Sequence, residues 1–192
     1  MTSTKQLHQP IINKCKNNCA KSQMQLYNLY CNAMFMVANR YVKDRFLAED
    51  VMQDAFIKAF KNIKNYKNEV AFGAWLKRIV INQSIDLLKK NKLELIAINN
   101  DVITKLEEED WQVENTISVD EIVANINSLK EKYRLVLTLY LLEGYDHQEI
   151  SEILNITENT SRTQLLRGKK VLKEKLKNTM YAARYKRFCK EI

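Results

Sequence analysis

In 192 residues the chain has three glycines, Gly73, Gly144 and Gly168, and a single proline, Pro10. Strand-rich folds need many tight turns, and such turns draw on glycine and proline for backbone angles that other residues adopt at a cost. So small a supply leaves long helices joined by few connections, and the expected fold class is all-α. Hydrophobic residues make up 46%, enough for a buried core, although two small domains would each have a thin one. The length accommodates one large domain or two small ones.

Apolar spacing places the helices. Leu26, Leu29, Tyr30, Ala33, Val37 and Tyr41 recur at helical intervals and predict an amphipathic helix over about 21–42. A second is expected over about 47–62, with Val51, Ala55, Phe56, Ala59 and Phe60 apolar. Glu49, Asp50, Gln53 and Asp54 fall in its first turns, where carboxylates suit the positive end of the helix dipole. A third, over about 70–90, repeats Phe72, Leu76, Ile79, Val80 and Leu87, and the three faces can bury one another as a bundle. Further on, Ser118 precedes Glu121 by three and Ser128 precedes Glu131 by three. Both read as capping boxes, so helices are expected to begin near Val119 and Leu129. Tyr133, Val136, Leu137 and Tyr140 line the second of these, and Gly144 is placed to end it in a left-handed cap.

The net charge of +8 is unevenly distributed. From Leu93 to Glu121 nine acidic residues face Lys105 alone, a balance of −8, which leaves 30 basic and 14 acidic residues, +16, elsewhere. Two basic blocks thus flank an acidic middle that reads as an extended or partly ordered linker. Basic blocks meet polyanions because each neutralised phosphate releases a condensed counterion, although a solvated lysine-rich surface has the same composition. No apolar run approaches the roughly 20 residues needed to span a bilayer, and residues 1–14 lack the apolar stretch of a secretory signal. A cytoplasmic protein without membrane insertion is expected, with Cys15, Cys19, Cys31 and Cys189 reduced. Cys15 and Cys19, on one helix face with His8 nearby, invite a metal reading. A site needs about four ligands, however, and the other histidine, His147, is remote in sequence, so neither metal nor cofactor is expected. With no nucleophile–base pair and no glycine-rich phosphate loop, an enzyme is not expected either.

A short helix over about 147–154, the turn Asn155-Ile156-Thr157 and a long helix to about Lys177 make a helix-turn-helix. Asparagine tolerates a positive φ, and Thr157 can cap the second helix of the motif. Leu165, Leu172 and Leu176 form that helix's buried stripe, leaving Ser161, Arg162, Gln164, Arg167, Lys169 and Lys170 as largely polar positions. In a major groove Arg162 and Arg167 can grip phosphates or guanine edges, and Gln164 can read adenine. A solvated charged face has the same pattern.

Three segments taken together are more specific: AEDVMQDAFIKAFKNIKNYK (Ala48 to Lys67), AFGAWLKRIVINQSIDLLKK (Ala71 to Lys90) and LKEKYRLVLTLYLLEGYDHQEISEILNITENTSRTQLLRGKKVLKEKL (Leu129 to Leu176). In order and spacing they closely resemble regions 2 and 4 of the extracytoplasmic-function (ECF) branch of the sigma-70 family, over about residues 11–178. The resemblance implies region 2 at 1–92, a connector threading polymerase at 93–120, region 4 at 121–178 and a basic tail at 179–192. It implies a factor that binds core RNA polymerase and directs promoter recognition, melting and transcription initiation. Glu49, Asp50, Gln53 and Asp54 would dock on the clamp helices of the polymerase's largest subunit, as acidic side chains suit a basic partner surface. Tyr66, Phe72, Trp75, Lys77, Arg78, Asn82 and Gln83 would receive melted DNA at the downstream promoter box, with Asn82 taking a flipped base; Phe72 and Trp75, taken singly, read more often as core than as platform. Ser161, Arg162, Gln164, Arg167, Lys169 and Lys170 would read the upstream box in duplex DNA. An anti-sigma protein is a further expected partner.

Lys130 stands where the family often has proline, Asn155 where it has glycine, and Asp146 where serine is usual. Ser128, the asparagine's tolerance of positive φ and the capping power of aspartate answer each departure. Two other readings stay open on sequence alone. A stand-alone helix-turn-helix regulator leaves residues 48–90 without a task, and a sigma-like decoy for an anti-sigma protein has no need of DNA-reading residues.

Overall fold

The computed structural model describes residues 7–93 and 118–188, with side chains at 7–90 and 118–177. Residues 94–117 of the expected acidic connector, and the side chains of the expected basic tail, lie outside the described residues. The chain divides into two compact units, Met1–Ile98 and Asn99–Ile192. Each is helical, and no strand occurs among the described residues.

The first unit is built from α1 (Gln9–Lys16), α2 (Ala20–Val42), α3 (Arg45–Asn62), a 3-10 turn (Ile63–Asn65) and α4 (Phe72–Leu93). Helices α2, α3 and α4 pack on one another, and α1 lies against α2 and the 3-10 turn. Lys43 in the left-handed conformation stops α2, and Asp44 starts α3 by accepting a hydrogen bond from the Leu47 amide at 3.0 Å. Between the helices Leu26, Tyr41, Ile63, Phe72, Leu76, Ile81 and Ile85 are fully buried. Each such side chain contributes about 1.5–3 kcal/mol from removal of apolar area. Ala48, Ala55 and Ala59 are also fully buried and keep the α3 backbone close to its neighbours.

The structure corrects several expectations. The apolar spacing does not predict helix α1, which has Pro10 in its first turn and ends before Cys19. Cys15 is buried inside α1, whereas Cys19 is the N-cap of α2 beyond Asn18 at φ 58°, so the two cysteines do not share a helix face. In α2 the buried face runs through Ser22, Leu26, Met34, Val37, Ala38 and Tyr41, while Leu29 is half-exposed and Ala33 points outward. Helix α3 begins at Arg45, so Glu49 and Asp50 sit beyond its first turn. The dipole effect fades within that turn and does not explain them.

The second unit contains α5 (Val119–Asn127), α6 (Glu131–Leu137), a π-helical turn (Thr138–Leu142), α7 (His147–Leu154) and α8 (Glu158–Phe188). The Ser118–Glu121 capping box forms in full. The one expected at Ser128 does not: Ser128 ends α5, donating its hydroxyl to the Asn125 carbonyl at 2.8 Å, and Lys130 precedes α6 without a side-chain cap. Burial of Leu129 between the two helices sets this kink. Lys175 on α8 secures it by donating to the Ser128 hydroxyl at 2.9 Å. Helix α8 also continues past Lys177 to Phe188. Ile126, Val136, Leu137, Leu139, Ile150 and Leu172 form the centre of this unit. Helix α6 crosses α8 at Gly168, where an added Cβ would lie 3.0 Å from Leu137 Cδ1 and 3.3 Å from Tyr133 Cβ. Only hydrogen fits at that crossing without a shift of its neighbours.

Candidate functional site

Residues spaced three and four apart share a helix face, and on α3 this rule joins Glu49, Asp50, Gln53 and Asp54. All four are exposed. Sequence reasoning missed the residues that frame them: Phe46 and Ile57 belong to the same face and are 78% and 52% exposed. The acidic strip is therefore bounded by apolar side chains at both ends. Carboxylates repel phosphates, and exposed apolar side chains can anchor in a partner's pockets, so this face suits a protein partner better than it suits nucleic acid. The signal was present in the sequence, since Phe46 and Ile57 fall outside the buried register of Val51, Ala55, Phe56 and Ala59.

The loop 66–71 and α4 carry the second group. Tyr66 and Phe72 are each only 2% exposed, which places Phe72 in the core and corrects the expected role of Tyr66 as a platform for bases. They are packed ring to ring at 5.6 Å, and each contacts Trp75, at 5.1 and 5.6 Å. Trp75 is half-buried and is the ring of this cluster with a solvent-facing side. Ala74 and Arg78 are exposed, Asn82 is half-buried and Asp86 exposed, so one α4 face carries cation, amide and carboxylate at successive turns. Lys77 and Gln83 flank it, both half-buried. The aromatic pair is the floor, and the polar residues of α4 with Trp75 are the accessible surface.

The third group is the helix-turn-helix of α7 and α8. Asp146 and Glu149 close a capping box on α7, with Asp146 accepting from the Glu149 amide at 2.8 Å. Asn155 makes the turn at φ 55° and ψ 52°. Thr157 caps α8 by accepting from the Thr160 amide at 3.1 Å. Along α8, Arg162 and Lys170 are exposed, and Gln164, Arg167 and Lys169 are half-buried. Arg162 pairs with Glu158 at 3.2 Å, an exposed contact one turn apart that contributes at most about 1 kcal/mol and yields readily to a phosphate.

Ser161 is a correction. It is fully buried, and its hydroxyl lies 2.9 Å from His147 Nδ1, so it locks α7 to α8 and is not a DNA-facing group. The imidazole also stacks on Tyr140 at 5.0 Å, with Lys169 Nζ 5.7 Å from that ring's centroid. Burial, together with the Arg162 guanidinium, lowers the His147 pKa below its ordinary value, against the opposing pull of Asp146 and Glu158.

At the junction of α1 and α2, burial pushes the Cys15 thiol up to about 11. Hydrogen bonding from Ser22, whose hydroxyl is 3.3 Å from the sulfur, lowers the Cys19 pKa. Among the described residues no cluster of three or more histidine, cysteine, aspartate or glutamate side chains could hold a metal ion. None of the described helices is long and apolar enough to cross a membrane.

Comparison with known proteins accounts for both units. Residues 26–94 match sigma-70 region 2, and residues 120–172 match sigma-70, region 4. The ECF RNA polymerase sigma factor SigM of Bacillus subtilis (strain 168) is 30% identical over 151 residues, covering 78% of this chain and 91% of that protein. The ECF RNA polymerase sigma-E factor of Haemophilus influenzae is 28% identical over 183 residues, covering 90% and 96%. In fold, the chain is similar to the sigma factor RpoE solved with the anti-sigma factor NepR from Bartonella quintana, at a TM-score of 0.53 and 20% identity, covering 82% of this chain and 98% of that one. It is also similar to CnrH solved with the cytosolic domain of CnrY, at a TM-score of 0.51 and 19% identity, covering 88% and 96%. With both of its units matched in order, the chain belongs to the sigma-70 family, as a member of the ECF branch.

Proposed function

We propose that the chain binds core RNA polymerase and directs it to promoters, contributing recognition and melting while the polymerase supplies the chemistry. The observation that carries this reading is the presence, in one chain and in order, of a region 2 match at 26–94 and a region 4 match at 120–172. A regulator that reads an operator by itself has use for the second alone.

Each unit has a task. The α3 face of Glu49, Asp50, Gln53 and Asp54, with Phe46 and Ile57, docks on the clamp helices of the polymerase's largest subunit. Helix α8 enters the major groove at the upstream box, Arg162, Arg167, Lys169 and Lys170 meeting phosphates or guanine edges and Gln164 reading a base. Trp75, Lys77, Arg78, Asn82 and Gln83 receive the melted downstream box. Unstacking a base costs a few kcal/mol, and stacking on an aromatic ring returns about 1–3 kcal/mol per base. A half-exposed Trp75 beside an amide and cations suits that exchange. The cytoplasm, where core polymerase and promoters meet, is the proposed location. Regulation by an anti-sigma protein is part of the same reading, since both similar folds were solved in such complexes or with a second protein's cytosolic domain.

Run-off transcription on pooled promoter fragments, with core polymerase in the presence and absence of the chain, tests the proposal. New discrete start sites are expected, with Arg162→Ala/Arg167→Ala weakening upstream-box recognition and Asn82→Ala slowing promoter opening. Failure to bind core polymerase would overturn it in favour of a stand-alone regulator.

A further inference from the structure

Helix α1 lies ahead of residue 26, where the match to sigma-70 region 2 begins, yet its last residue reaches the loop that introduces α4. Lys16 Nζ donates to the Tyr66 main-chain carbonyl at 2.7 Å and stands 5.7 Å from the centroid of the Tyr66 ring. At its other end the Tyr66 hydroxyl donates to the Val70 carbonyl at 2.6 Å. Tyr66 therefore spans its own loop, holding the 66–70 segment closed while Asn68 turns it at φ 63°. Its ring also lies against Trp75 at 5.1 Å. A single ammonium thus grips the backbone at the start of the loop and the ring that supports both the loop's end and Trp75.

Packing alone does not require this arrangement. Tyr66 is almost fully buried and already makes aromatic contacts with Phe72 and Trp75, so it does not need Lys16 to stay in the core. A charged donor on its carbonyl fixes where the loop begins, and a charge-assisted hydrogen bond is shorter and stronger than a neutral one. We infer that Lys16 is a positioning residue for promoter opening: by bracing Tyr66 it holds the 66–70 loop and Trp75 in the arrangement that receives an unpaired downstream-box base. The inference rests on the sigma reading above and deepens it, assigning a role in melting to a helix outside the matched region.

The test compares Lys16→Met, which keeps the aliphatic stem and removes the ammonium, with Lys16→Arg, which restores a cationic donor. Holoenzyme carrying each full-length variant is mixed with a promoter recovered by run-off selection, bearing 2-aminopurine in the downstream box. Core binding and closed-complex affinity are measured alongside. Lys16→Met is expected to slow the fluorescence rise of opening about three- to tenfold, the range of one net hydrogen bond, with core binding and closed-complex affinity unchanged. Lys16→Arg should recover most of the rate. In a Trp111→Phe background, Trp75 emission should shift in the methionine variant and return in the arginine variant. Opening at the wild-type rate by Lys16→Met overturns the inference, as does a matching loss of core binding and melting temperature that arginine does not repair. If wild-type holoenzyme opens no promoter at all, the sigma reading falls, and this inference falls with it.

Discussion

His147 Nδ1 lies 2.9 Å from the Ser161 hydroxyl, joining the first residue of α7 to the fourth residue of α8 across the Asn155 turn. The contact fixes the angle at which the recognition helix leaves the motif, and it places a titratable ring at the hinge. Burial and Arg162 lower the His147 pKa, so the folded state favours the neutral ring. Above the ordinary histidine value of about 6.5 both folded and unfolded chains carry neutral imidazole, and stability is intact. As pH falls through that value the unfolded chain takes up the proton first, and stability declines until the lowered folded value has been passed. The melting temperature of the second unit, followed by calorimetry on the full chain, should fall between pH 7.5 and 5.5. His147→Gln should flatten that slope, and equal slopes in the two proteins would show that another group is responsible.

Gly168 tests the α6–α8 crossing. A methyl there meets Leu137 Cδ1 at 3.0 Å and Tyr133 Cβ at 3.3 Å. Overpacking costs about 1–3 kcal/mol, while replacing a helical glycine by alanine returns about 1 kcal/mol. Gly168→Ala should therefore lose up to about 2 kcal/mol in denaturant unfolding, and Gly168→Val more. A gain in stability from the alanine would mean that Leu137 moves aside freely.

Asn155 holds the turn in the left-handed region, at φ 55° and ψ 52°. A residue with a Cβ and no local hydrogen bonding pays about 1–2 kcal/mol there. Asn155→Ala should lower stability by about that amount, whereas Asn155→Gly should be nearly neutral. The glycine variant should also retain upstream-box affinity, measured by holoenzyme binding to duplex DNA. If alanine and glycine behave alike, the turn is not strained.

On α3, Phe46 and Ile57 are 78% and 52% exposed and make little contribution to folding. Phe46→Ala/Ile57→Ala should leave the melting temperature nearly unchanged, as surface substitutions stay within about 0.5 kcal/mol. The same variant should weaken core polymerase binding tenfold or more if the two apolar side chains beside the acidic strip are anchors. Asp50→Lys should weaken it by charge reversal, more so at low salt. Core binding at full strength by both variants would move the docking face elsewhere.

Much of this architecture is legible in the sequence, because its signals are local. The α7–turn–α8 motif comes from Asp146, Asn155 and Thr157, each of which sets a cap or a turn within three residues of itself. Errors arise where a distant contact decides. Ser128 has the spacing of a cap, but Leu129 is drawn into the core and Lys175, 47 residues away, takes the serine hydroxyl. Ser161 looks like one more polar position on a reading helix until His147 is folded against it. Tyr66 and Phe72 have the right chemistry for stacking on bases, and burial alone assigns them to the floor of the site. Helix α1 is short, its apolar spacing is interrupted, and its place depends on Tyr30 and Tyr66 elsewhere in the chain.

The π-helical turn Thr138–Leu142 has a consequence for descent. Its bond from the Glu143 amide to the Thr138 carbonyl, at 3.1 Å, closes over five residues where an α-turn closes over four. The turn therefore absorbs one surplus residue, and Tyr140, which stacks on His147 beside Lys169, sits inside it. Removing one residue would restore an α-turn and leave the helix before it in register with the chain after it, re-aiming only the side chains inside the turn, Tyr140 among them. Chains derived from a common ancestor with this one should thus differ in length by one residue here more readily than inside α6 or α7, where a gap would turn the helix out of phase by about 100°.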